Sequence, residues 1–404
     1  MHFSFPLLRR TALVGLAALA TAACNRDDDN VTPAEQEAVF SRLLVTDGDG
    51  TGIQLVNPAK RTSESFSARY AGSSVYPSAS GRFAGLINFT NNFVQFFDSG
   101  IEAHDDHAHL VGTPKWAAVT ANAPKPTHFY AWGNRMAIFN DGDGSITLIN
   151  EADMHNTAAT PRIIKADVAH HGAVAAFSNN TLVVTEKDGT VSGSLPERVK
   201  IISETGTVVH TSKLATKGIH GEAGNGEIVL FGHREGVLVV GKDGSQRSIS
   251  NPASLGTNWL STIYHDKGAD AFYGYNARAG VYRIDVAQNQ IRPVLESDQV
   301  ALFRVDDEGR EVMALLNDGT LRTFDGRTGA SIASAKVADA IDPAAKVKPD
   351  MAVSKRFVYI SQPDKGEIRV VRRSSLTNEP AINVSGKPAK LALIGAQVDG
   401  TGTH

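Results

Sequence analysis

Eight short apolar hairpins, each turning on Gly, Asp or Asn, recur along this chain at intervals of roughly 40–50 residues, and no other feature limits the fold so sharply. The clearest copies run over 136–149, 228–240, 313–324 and 358–371, and looser ones over 43–56, 84–97, 182–202 and 271–284. Each unit reads as a polar or small leading segment, an apolar strand, a tight turn and a second strand, with little helical periodicity beyond residue 38. A single such sheet cannot bury its two faces, whereas a ring of stacked sheets buries them and leaves only short edges. The expected fold is therefore all-β, a β-propeller of eight blades, with seven blades or a pair of β-sandwiches as the competing arrangements. The apolar run 389–394 has no hairpin partner of its own and is expected to complete the first blade and close the ring.

The segment ahead of the repeats has a different character. Arg9 and Arg10 precede an apolar run over 11–20, and Thr21, Ala22 and Ala23 lead into Cys24, the single cysteine. A basic start, a short apolar core and small residues at a cut site describe a secretory signal, and the run is too short to stay in a bilayer as a spanning helix. Small residues directly before a cysteine resemble a bacterial lipobox, so residues 1–23 read as a lipoprotein-type signal peptide with Cys24 the acylated mature N-terminus. An ordinary signal peptide cut near Ala23 is the alternative. Residues 24–37, polar and acidic, read as a flexible tether, and residues 38–404 as the propeller. The mature chain is expected outside the cytoplasm, in the periplasm and lipid-anchored to a bacterial membrane, and monomeric.

Composition narrows the chemistry. A net charge of −3 supplies no basic face for phosphates, so nucleic acid is excluded as a partner. One cysteine excludes a disulfide framework and a cysteine-rich metal cluster. Metal chemistry must then run on carboxylates and the 13 histidines.

Three of those histidines occupy matching places. His128 stands eight residues before the strand beginning at Met136, His171 ten before Thr181, and His220 eight before Ile228. In a propeller the first strand of each blade lines the central channel, so three successive blades would aim an imidazole at one axis. Neutral imidazoles converging in this way suit Zn²⁺, whereas Ca²⁺ and Mg²⁺ want oxygen ligands. Strand alternation sends His170 and His171 to opposite faces; His171, directly before Gly172, is preferred and His170 is its substitute. The segment 104–109, read as a loop into the third unit, adds Asp106, His107 and His109 as a fourth ligand or a transient capture site. Glu222 is expected to orient His220 by accepting its other N–H. The Asp-Gly-Asp-Gly runs at 47–50 and 141–144 lack the later Glu of a calcium loop and read as hairpin turns.

Several of these segments together resemble the periplasmic zinc metallochaperone family (AztD-like proteins). The resemblance runs from about residue 40 to the C-terminus and is carried by His128-Phe129, 137–144, Asn150 to Asp153, His170-His171-Gly172, His220-Gly221-Glu222-Ala223 and 236–240. It implies a non-enzymatic β-propeller that binds Zn²⁺ and passes it by ligand exchange to the solute-binding protein of an ABC-type zinc importer. Members of that family are soluble periplasmic proteins, so Cys24 is a departure, and residues 25–36 contain no histidine to serve as a capturing tail. Two other readings compete. A metal-dependent propeller enzyme, such as a lactonase-like hydrolase, would need an open metal position and a general base. A cell-surface interaction propeller would leave the histidines incidental.

Overall fold

The computed structural model describes residues 36–306, 310–398 and 400–401. The segment read as a signal peptide, Cys24 with its expected acylation, and nearly all of the expected tether lie outside the described residues. Among the described residues are eight four-stranded antiparallel sheets, arranged as the eight blades of a β-propeller. Blade 1 takes three strands from the N-terminal side, Ser41–Asp47, Gly52–Asn57 and Thr62–Ser67, and its innermost strand, Pro388–Gly395, from the other end of the chain. The register there pairs Leu43 with Leu393, Leu44 with Ala392 and Val45 with Leu391, so the run at 389–394 closes the ring as the sequence predicts. Every other blade is a four-strand meander, from Ser74–Pro77 at the start of blade 2 to Thr377–Asn383 at the end of blade 8.

Burial follows position in the blade. The eight hairpins of the sequence are the two middle strands, which are covered on both faces by neighbouring blades and are therefore almost continuously apolar rather than alternating. In blade 2, Phe83–Asn88 and Phe93–Asp98 are buried at every position. Outermost strands such as Thr62–Ser67 are largely exposed. Adjacent blades interlock through clusters such as Leu230, Val237 and Val239 of blade 5 with Phe272, Tyr282 and Ile284 of blade 6. Each such side chain contributes about 1.5–3 kcal/mol by leaving water. Innermost strands are half-buried, as in Pro126–Trp132, because they line a central cavity of about 680 Å³.

Strand direction fixes which residues share a face of the ring. Within a meander the first and third strands run parallel to each other, so the start of the innermost strand and the turn between the second and third strands lie on one face. The connection from third to fourth strand lies on the other. In blade 2 that connection is enlarged. Segment 104–109 is part of a β-ribbon, Ile101–His104 paired with His107–Leu110, inserted between Phe93–Asp98 and Lys115–Asn122. It belongs to blade 2 and is not a loop into the third unit. Asp105, at φ +42°, makes the tight turn with Asp106. Ile101 and Ala108 on one side of the ribbon pack against Phe40 and Ala396.

Candidate metal centre

The innermost strands of blades 3 and 5, Pro126–Trp132 and Ile219–Gly224, carry His128 and His220 near their starts; His171 lies just ahead of the blade 4 strand Val174–Ala176. All three stand on the same face, at the mouth of the central cavity. One ligand atom from each comes within 4.8 Å of the others, and the ring centroids are 5.0–5.4 Å apart. Two glycines make this approach possible. A Cβ on Gly172 would lie 2.4 Å from the Phe139 ring and 2.5 Å from His170 Nε2. A Cβ on Gly221, held at φ +77°, would lie 2.4 Å from the Ser261 carbonyl oxygen.

Each ring is fixed through Nδ1. His128 Nδ1 donates to Glu222 at 3.1 Å, His171 Nδ1 to Asp141 at 2.6 Å and His220 Nδ1 to the Ser261 carbonyl at 2.7 Å. The acceptors carry no proton to offer, so Nδ1 is the protonated nitrogen in all three and Nε2 is the lone-pair donor left for a metal. Glu222 therefore serves His128 and not His220, contrary to the sequence expectation: the register shifts between Ile219 and Glu222, which breaks the alternation that would have set Glu222 beside His220, and Glu222 reaches blade 3 instead. Sequence reasoning misses Asp141. Its run does form a turn, but Asp143 does the capping, accepting from the Ser145 amide at 3.0 Å and its hydroxyl at 2.6 Å. That leaves Asp141 to reach His171 and the Gly172 amide, at 3.3 Å. A signal for it is present in the sequence, since one such turn needs only one capping carboxylate.

Electrostatics sort the rings. For His128 burial alone would lower the pKa, but the Glu222 carboxylate more than offsets it and the pKa is raised. His220 is lowered, chiefly by burial, against the pull of the Ser261 carbonyl. A tetrahedral Zn²⁺ with nitrogen bonds of about 2.0–2.1 Å needs nitrogens roughly 3.3 Å apart, so small ring rotations suffice. Three imidazoles leave one position of a tetrahedral ion for a further ligand.

The other sequence candidates lie elsewhere. His170 faces the blade interior, its side chain fully buried, with Nδ1 on the Val168 carbonyl at 2.8 Å and Nε2 on Thr185 Oγ1 at 2.9 Å. Burial lowers its pKa. His107 and His109 are on the ribbon, on the opposite face of the ring. Cross-strand pairing sets Glu102 opposite His109 and His104 opposite His107, so all four side chains share the side turned away from Phe40. Ring centroids there are 4.8–5.8 Å apart, and Glu102 Oε1 is 3.6 Å from His104 Nε2. Asp106 is 94% exposed at the turn and sits 3.0 Å from His107 Nδ1. His104 belongs to the segment the sequence singles out, whereas Glu102 joins this group only through strand alternation, which a loop over the same residues would not have.

Fold and site together define the class: an eight-bladed β-propeller with a tri-histidine cluster, braced by two carboxylates and a backbone carbonyl, at one mouth of its channel. No protein-family model matches the chain. The zinc chaperone AztD of Citrobacter koseri is 22% identical over 386 residues, covering 92% of this chain and 90% of that protein. Its crystal structure superposes with a TM-score of 0.81 over 90% of this chain and all of the other. The dihydro-heme d1 dehydrogenase NirN shares the fold more distantly, at 15% identity and a TM-score of 0.64, over 91% of this chain and 77% of that one. This chain resembles the zinc chaperone AztD in both sequence and fold.

Proposed function

We propose that this protein is an exported, non-catalytic zinc metallochaperone that holds Zn²⁺ at His128, His171 and His220 and yields it by ligand exchange to the solute-binding protein of an ABC-type zinc importer. The observation that carries the reading is the convergence of three imidazoles whose Nδ1 atoms are already bound by acceptors. Histidines braced in this way are oriented before the metal arrives. The fourth coordination position is where a ligand from an acceptor protein enters, so that one bond forms before another is lost. The resemblance to a protein named a zinc chaperone, along nearly the whole chain, favours this reading over an enzyme. Glu102, His104, His107 and His109 make a second, half-buried cluster, suited to capturing the ion at the opposite face. Cys24 as a lipid anchor would hold the protein at a membrane surface.

Metal content after chelation and reloading tests the assignment. Wild-type protein retains zinc tightly, and the triple variant His128→Ala, His171→Ala, His220→Ala loses that site. Zinc kept by the triple variant but lost on changing His104 and His109 to Ala would move the tight site to the ribbon. No tight zinc in any form would refute the metallochaperone reading.

A further inference from the structure

We propose that the loop at 187–197, folded around the buried Lys187–Glu197 ion pair, is a strut that sets the spacing of two zinc ligands, with Glu197 and Lys187 as positioning residues. This rests on the tri-histidine reading above. The loop joins the blade 4 strands Leu182–Glu186 and Arg198–Ile202, on the face that carries the histidines. Its backbone reaches both ligand-bearing segments of blades 4 and 5. The His171 amide donates to the Ser194 carbonyl at 2.8 Å, and the amide of Ile219, the residue before His220, donates to the Pro196 carbonyl at 2.8 Å. The Thr216 amide and hydroxyl both donate to the Glu197 carbonyl, at 2.8 and 2.9 Å.

The loop has almost no apolar core of its own; its shape comes from charge. Glu197 has a side chain with no exposed surface and Lys187 one that is 14% exposed. Lys187 Nζ binds Glu197 and donates to the carbonyls of Val191 at 2.7 Å and Leu195 at 2.9 Å. The second Glu197 oxygen takes the Asp188 amide at 3.0 Å, and the first also takes the Val191 amide at 3.0 Å. A buried pair of this kind is weak evidence for stability, since desolvation consumes much of its attraction, and its better-attested use is to specify one geometry. Here the geometry specified is the position of Ser194 and Pro196, and through them of His171 and His220.

The test uses the protein with His107 and His109 changed to Ala, so that only the tri-histidine site reports. Zinc affinity is measured by chelator competition, Co²⁺ substitution gives the visible ligand-field spectrum, and thermal unfolding monitors stability. Glu197→Gln places an amide NH₂ against donors, and Lys187→Met removes the ammonium. Each is expected to weaken zinc about tenfold or more and to alter the Co²⁺ spectrum. Tyr359→Phe, which removes a buried hydroxyl bonded to Glu37 in blade 8, is the control: its melting temperature falls while affinity and spectrum stay as in the parent. Parent-like affinity and spectrum in both loop variants would overturn the strut, as would an equal loss in Tyr359→Phe. A parent that binds no metal would sink the tri-histidine reading and this inference with it.

Discussion

Replacing Asp141 by Asn keeps the side chain's shape and removes its charge, and it should loosen zinc without unfolding the protein. The carboxylate accepts from His171 Nδ1 at 2.6 Å and from the Gly172 amide at 3.3 Å. An asparagine has one accepting oxygen, so it can serve one of these donors well while its NH₂ opposes the other. Across the imidazole, with a metal bond of about 2 Å, the carboxylate stands about 7 Å from a bound ion. Attraction between a dication and one negative charge at that distance is about 1 kcal/mol at the dielectric of water and about 5 kcal/mol at an effective value of 20. Asp141 is 10% exposed and His171 26%, which puts the site between those limits. A loss of about 2 kcal/mol, a thirtyfold rise in Kd, falls within the range of about 10–100-fold usual for such partners. Competition against a chromophoric chelator at pH 7.5 and near-physiological salt measures it. Asp143→Asn, in the same turn but capping Ser145, should leave Kd within a few-fold of wild type. Unchanged affinity in Asp141→Asn, or an equal loss in Asp143→Asn, would refute the reasoning.

Two further outcomes separate the histidines that bind from those that build. His170→Leu removes the partner of the Val168 carbonyl, while the Thr185 hydroxyl keeps its bonds to Ala173, so it should cost about 1–3 kcal/mol of stability while leaving zinc stoichiometry unchanged, as denaturant unfolding and metal analysis together would report. His233, buried in blade 5 with its pKa lowered by burial to about 4, supplies a pH dependence. Because the folded value lies below the unfolded one of about 6.5, its stabilisation is whole above pH 6.5 and is lost as the pH falls towards 4, by roughly 3 kcal/mol. Chemical unfolding of metal-free protein at pH 7 and pH 4 measures the drop, and His233→Gln should flatten that part of it.

How much of this is legible in the sequence follows from what repeats and what does not. The middle strands of the blades are buried on both sides, so their apolar runs and turn residues have to recur, and eight hairpins can be counted directly along the chain. The leftover strand at 389–394 likewise announces the closure, because an apolar run needs a partner. His128, His171 and His220 stand out as equivalent positions in consecutive units, and a ring turns such equivalence into proximity. The ribbon at 101–110 reads as a loop because its period-two alternation spans only four residues on each side of a two-residue turn.

The chain pattern determined by itself the all-β ring, its closing strand and the set of histidines facing one axis, since these depend on periodicity and burial alone. Only the tertiary structure decided who braces whom. Asp141 and His171 are 30 residues apart and Glu222 and His128 are 94 apart; the first pair meets because blades 3 and 4 are neighbours, the second because blades 3 and 5 face each other across the mouth of the channel, and neither kind of contact leaves a local trace in the sequence. The same holds for His170 and His171: adjacent in the chain and identical in chemistry, they part because the bend over 167–171 sends one into the blade and the other into the mouth of the channel.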